Sequence, residues 1–268
     1  MEDHLQDGRH ETLSAVPAAP VNILCMKWGT LYGPEYANRL YAMVARNITR
    51  PFRFVCFTDD ETGLRREIVV RPLPHIDIDP PYEKTPWKKL ALYEADLGDV
   101  TGTALFLDLD LVIVGSLDRF FEFPGAYCVI RNWTRPKDIV GNTSVFRFEI
   151  GAHTDLLERF HSRSTQHWVD KDRIEQTFLS RILHEQGQLT FWPDGWCASF
   201  KVHALPGGWK FPRLLLNWVK RSQVPDEASI VVFHGHPNPD DALAGRWPGG
   251  WYKRLRPATW IDDYWHER

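Results

Sequence analysis

The chain has no apolar run longer than about five residues, whereas a bilayer-spanning helix needs about 20. No transmembrane segment is expected. Cysteine is scarce, with four in 268 residues (Cys25, Cys56, Cys128 and Cys197) and no C-x-x-C pair. That excludes a thioredoxin-type site and a cysteine-rich zinc cluster. Three of the four sit in apolar runs (ILCM, FVCF, YCVI), where a cysteine behaves as a small buried hydrophobe. A reducing compartment fits this usage. Excess positive charge is also missing: 32 Lys and Arg against 35 Asp and Glu leave a net charge of −3. That speaks against the broad basic surface of a nucleic-acid binder. The first 20 residues, MEDHLQDGRHETLSAVPAAP, lack the charged-then-apolar layout of a signal peptide and read as a flexible tail. A cytoplasmic protein is expected, with room for peripheral docking at the inner membrane surface.

Several catalytic signatures are absent too. Without G-x-x-x-x-G-K-[ST] or G-x-G-x-x-G, P-loop and Rossmann readings have no anchor. Without H-E-x-x-H or G-x-S-x-G, neither a zincin nor an α/β-hydrolase is supported. What remains is an ordinary globular composition, 43% hydrophobic and 25% charged, with an unusual share of aromatics: 13%, including 12 Trp. Aromatic faces stack on sugars and bases, but most large rings are core.

Apolar runs and turn residues alternate through the first half of the chain. Strands are expected over 21–27, 53–57, 67–71 and 103–107, and helices from Pro34 onward and over 86–95. A short apolar run over 111–114 follows; further strands are expected over 126–130, 144–148 and 230–233, with helices near 153–163 and 172–185 and Gly187 as a C-cap. The run TALFL is continuously apolar, so it predicts a strand buried on both faces. The pattern predicts an α/β fold: a mostly parallel central sheet flanked by helices on both faces, in a single domain over 21–268. Ligands of such sheets bind beyond the carboxyl ends of the strands.

TALFL ends in Asp108-Leu109-Asp110. Residues i and i+2 of an extended segment project to the same side. Two carboxylates that close repel each other, and a hard cation such as Mg²⁺ or Mn²⁺ relieves the conflict. His234 follows the apolar strand over 230–233 at its carboxyl end and is the candidate third ligand, with His236 its competitor.

The run TALFLDLDLVIVGSLDRFF resembles the metal-binding segment of bacterial GT-A glycosyltransferases of the family 8 type. PWKKLALYEADL is similar to the helix before that strand, GNTSVFRF to a later strand, and IEQTFLSRIL to a D-Q-x-x-L-N helix. KWGTLYGPEYANRLYAMVARN and FRFVCFTDD resemble the nucleotide-binding half, so that the halves fall at about 21–115 (nucleotide) and 116–268 (acceptor). The resemblance implies a GT-A fold and a Mn²⁺- or Mg²⁺-dependent transfer from a nucleotide sugar, by default a UDP-sugar. The acceptor is a hydroxyl of a glycan, a lipid-linked sugar or a protein, and the anomeric configuration is retained. It implies that Asp108, Asp110 and His234 hold the ion. Lys27, Trp28, Thr30 and Tyr32 fall where the first loop meets base and ribose, and Asp59 could accept from either or cap a turn. Lys88 or Lys89 could pair with diphosphate or with the carboxylates. Asn142 and Gln176 would face the sugar and the acceptor, and Asp194, in a Trp-rich loop, could orient an acceptor hydroxyl. The family's late H-x-x-G-x-x-K-P-W segment is altered here to HGHPNP, with no lysine in place; Lys201 or Arg246 could substitute. Two other classes remain. A haloacid-dehalogenase-type phosphatase also uses D-x-D, but its strand comes first in the chain and a small hydroxylic residue soon follows; here two βα units precede it and LVIV follows. A non-catalytic binder of nucleotide sugar or glycan is the other.

Overall fold

The computed structural model describes residues 20–268, so the tail expected over 1–20 lies almost wholly outside the described residues. In chain order the elements are β1 (Val21–Lys27), α1 (Pro34–Asn47), β2 (Phe52–Thr58), β3 (Val69–Pro72), β4 (Thr103–Leu107), β5 (Leu111–Ile113), α2 (Asp118–Glu122), β6 (Tyr127–Arg131) and β7 (Gly141–Glu149). There follow α3 (Asp155–His161), α4 (Thr165–Asp172), α5 (Glu175–Glu185), β8 (Leu189–Phe191), β9 (Cys197–Ser199), β10 (Ile230–Val232) and α6 (Pro239–Leu243).

Seven strands form the central sheet in the order β3-β2-β1-β4-β7-β6-β8. It is parallel except around β7, which runs antiparallel to both neighbours. Both faces are buried, as the continuous apolar runs require. Ile23 and Cys25 of β1 and Leu105 and Leu107 of β4 join a core with α1. Leu24, Met26, Ala104 and Phe106 point the other way, into a core with Trp87 and α5. All four cysteines are buried and free.

Three expectations need correction. The segment after Pro86 is a 3₁₀ helix, Pro86–Tyr93. The helix expected near 172–185 is α5 but begins only at Glu175, because Arg173 takes a φ of +69° and Ile174 is extended, and the separate helix α4 before it was not expected. A second, three-stranded sheet, β5-β10-β9, stands beside the first. At Gly187 the chain does end α5: with φ +69° it donates to the His184 carbonyl, and Gln188 donates to Leu183 at 2.8 Å. That pair of bonds closes the carbonyl end of a helix.

Candidate active site

β2 and β3 lie on one side of β1 and β4 on the other, so the chain switches direction between β1 and β4. Such a switch leaves a crevice at the carboxyl ends of the two strands. A cavity of about 640 Å³ opens there. Trp28, Thr30, Tyr32 and Asp59 line it, as do Lys84, Lys88, Lys89, Asp108 and Asp110. The Asp59 carboxylate accepts from the Gly29 amide at 3.0 Å, which fixes the loop after β1; Gly29 has φ +62°.

The two aspartates have unlike surroundings. Asp108 Oδ1 lies 2.6 Å from Lys89 Nζ. Lys89 is buried, and its ammonium also donates to the Thr143 carbonyl at 3.1 Å. Thr143 Oγ1 in turn donates to Glu175 Oε1 at 2.6 Å, while Oε2 of this buried glutamate has no partner. Burial opposes the charge on Lys89, yet Asp108, Glu175 and Asp110 together hold its pKa above the ordinary value. Burial raises that of Glu175. Asp110 has no cation of its own and accepts from the Tyr32 hydroxyl at 2.9 Å. Burial, and then the charge of Asp108, push Asp110 up to about 7.

The chain just before His234 reaches the same region: the Phe233 amide donates to the Asp110 carbonyl at 3.3 Å. The His234 ring goes elsewhere. Nε2 lies 2.7 Å from Ser199 Oγ, and the imidazole stacks on Trp133 at 5.7 Å. Burial and then the nearby Lys201 push its pKa down to about 4, so the ring is neutral at pH 7. Among the described residues no three His, Cys, Asp or Glu side chains form a group that could hold a metal ion. The expected set of Asp108, Asp110 and His234 is therefore not assembled. β9 pairs with β10 and sets Ser199 beside Val232, within reach of the imidazole. His236 lies 3.5 Å from Asp241 instead.

The other candidates divide. Lys201 Nζ donates to the carbonyls of His234 and His236. Arg246 pairs with Asp240 and Asp241. Lys27 is buried and donates to the Asp60 carbonyl at 3.2 Å, behind the cavity wall rather than in it. The side chain of Asn142 accepts from the Ser144 amide at 3.1 Å, and Gln176 stands half-buried in the first turn of α5. Neither lines the cavity. Asp194 lines a second cavity, of about 450 Å³, with Trp133, Trp192 and His203. The sequence left Lys88 and Lys89 open: Lys89 takes the carboxylate, and both line the cavity. Glu175 was missed, because an acid in a first helical turn ordinarily just complements the helix dipole.

Solved structures share this architecture. The apo form of the glycosyltransferase GlyE of Streptococcus pneumoniae is 13% identical, with a TM-score of 0.54 over 82% of this chain and 56% of GlyE. Mouse xyloside xylosyltransferase 1, in its apo form, is 14% identical, with a TM-score of 0.52 over 82% of this chain and 98% of that one. An active-site mutant of LgtC is 10% identical, with a TM-score of 0.51 over 81% of this chain and 89% of LgtC. The chain has the GT-A glycosyltransferase fold. It spans only about half the length of GlyE. No family model matches the sequence, and no curated protein matches it.

Within this GT-A fold, Asp108 and Asp110 fit a hard divalent ion without a histidine. Such ions are commonly held by one or two carboxylates, with substrate phosphates and water completing the shell. Asp110, which among the described residues forms no ion pair and whose pKa burial and Asp108 raise, matches that chemistry. Among the described residues no helix is long and apolar enough to cross a membrane.

Proposed function

We propose that this protein is a glycosyltransferase that moves a sugar from a nucleotide-sugar donor, by default a UDP-sugar, to a hydroxyl acceptor, with a divalent ion, Mn²⁺ or Mg²⁺, at Asp108 and Asp110. The observation that carries the reading is the cavity at the β1/β4 switch, lined by two carboxylates together with Trp28 and Tyr32 after β1 and Asp59 after β2. In such a site the bound ion supplies Lewis-acid stabilisation of the diphosphate leaving group.

The chain's own residues do the rest. Trp28 offers a ring face to the base. Asp59 spends one oxygen on Gly29 and keeps the other for a base or ribose donor. Lys88 lines the cavity and is placed to meet a phosphate. Tyr32 holds Asp110 in place, and Lys89 holds Asp108. By the resemblance Asn142 and Gln176 would face the sugar and the acceptor, although neither lines the cavity, and Asp194 would orient a hydroxyl of an acceptor glycan, lipid-linked sugar or protein at the second cavity. Retention of the anomeric configuration follows from the resemblance of the D-x-D segment to family 8. A cytoplasmic site of action follows from the cysteine usage.

Titration calorimetry of UDP, with GDP as control, tests the reading in the presence and absence of Mn²⁺. Wild type should bind UDP only with the ion, and Asp110→Ala should lose that binding while keeping its circular dichroism spectrum. Absence of nucleotide binding under every metal condition would overturn the proposal. The diversion of His234 to Ser199 favours one second reading, a nucleotide-sugar binder without turnover. Donor hydrolysis measured on the same samples separates the two.

A further inference from the structure

Exposed apolar side chains are concentrated in one place. Trp209, Phe211, Trp218 and Trp251 are 41%, 66%, 37% and 70% exposed, and Leu216 and Val219 stand open with them. They come from two segments, 205–224 and 251–256, which are joined at Asn217 and Trp218. Trp218 Nε1 donates to the Tyr252 carbonyl at 3.1 Å, the Trp218 and Trp251 rings lie 6.1 Å apart, and the Arg256 amide donates to the Asn217 carbonyl at 3.0 Å. A contiguous apolar patch rimmed by polar groups marks an interaction surface.

The charge of the two segments has one sign. The two segments carry seven Lys and Arg and no Asp or Glu, in a chain whose net charge is −3. Among the described residues none of the seven forms an ion pair. Two lie against the exposed rings: Arg254 is 5.3 Å from the centre of Trp218, and Lys210 is 5.4 Å from that of Trp209. The overall charge concealed this segregation.

We propose that this face docks on an anionic phospholipid surface. Tryptophan rings settle at the headgroup level of a bilayer, aliphatic and phenyl groups reach toward the acyl boundary, and unpaired lysine and arginine attract anionic headgroups. The patch holds all three kinds of group. A second copy of the chain is a poor occupant, because a two-fold interface would set these cations against their own copies. A nucleic acid is a poorer fit than lipid, because Leu216 and Val219 offer no ring face for a base to stack on. Docking needs neither nucleotide nor ion, so the proposal stands apart from the transferase reading.

Sedimentation of the full chain with vesicles tests it. Neutral phosphatidylcholine vesicles are compared with vesicles containing about 30% phosphatidylglycerol. Wild type should bind the anionic vesicles at least about tenfold more strongly, and lose that advantage as salt shortens the screening length. Phe211→Ser with Trp251→Ser, and separately Lys220→Ser with Arg221→Ser, should each weaken binding about tenfold at unchanged thermal midpoint, because all four side chains are exposed. Equal binding to both vesicles, binding to neither, or binding that both variants leave intact would overturn the proposal. So would dimerisation or oligonucleotide binding in a protein that ignores vesicles.

Discussion

Asp108 and Asp110 are two positions apart and electrically unlike. Asp108 has a buried lysine at 2.6 Å, whereas Asp110 has only a hydroxyl at 2.9 Å. The consequence is measurable in ion-free protein. The folded state raises the Asp110 pKa from about 3.8 to about 7, so it binds a proton more tightly than the unfolded chain does. Its contribution to stability is therefore complete below about pH 4 and is lost as pH rises through about 7. Asp110→Asn keeps an acceptor for Tyr32 but cannot ionise. In chelator, the variant should gain on wild type between pH 4 and pH 7 by about 2–4 kcal/mol, read from urea unfolding at each pH. A difference that is flat with pH would mean that Asp110 is ionised throughout. The D-x-D pair was legible in the sequence because two acids closing a buried strand need a reason. The Lys89–Thr143–Glu175 chain was not, because it joins residues far apart in sequence and depends on how deeply each is buried.

At the scale of elements, Arg147 on β7 is the buried cation that the sequence did not flag. One guanidinium nitrogen donates to the carbonyls of Phe120 and Phe123 at 2.6 Å each, and the other to Gly125 at 2.8 Å. It thus satisfies carbonyls at the end of α2 and just beyond it, where short helices leave acceptors unmet. Arg147→Leu leaves those three carbonyls without this donor. We expect a loss of about 3 kcal/mol, read from the urea midpoint at unchanged m-value. A loss under about 1 kcal/mol would show that water replaces the guanidinium. Legibility at this scale followed run length. β1, β2 and β4 are continuous buried runs with turn residues after them, and they lay within a residue or two of the expected positions. β9 has three residues, Cys-Ala-Ser, and no apolar run, so this strand, which completes the second sheet, had no local signal. α4, TQHWVDKD, is polar on most of its surface and is started by Ser164 accepting from the His167 amide, a cap that says little without a periodic apolar face. The split between α4 and α5 rests on a single positive φ at Arg173, which residue type does not announce.

On the scale of the whole molecule, the segment 108–110 joins the two sheets. β4 ends at Leu107 in the first and β5 begins at Leu111 in the second. The Asp108 amide is tied to Ser144 of β7, and the Asp110 carbonyl to Phe233 beyond β10. One apolar core takes Leu105 and Leu107 from the first sheet together with Leu111, Val112 and Val231 from the second. The two sheets should therefore unfold together, in one transition followed alike by calorimetry and tryptophan fluorescence. A ligand gripping both carboxylates adds its binding energy to the whole chain rather than to one half. At a free concentration 100 times its Kd, UDP with Mn²⁺ should stabilise the folded state by about 2.7 kcal/mol, which for a chain of this size raises the thermal midpoint by about 5–10 °C. The transition should move without splitting, and Asp110→Ala should remove the shift. Two transitions, only one of which the ligand moves, would show that the sheets unfold separately and that 108–110 is a loose connection; a site at a loose connection could not hold its carboxylates in one geometry for a diphosphate.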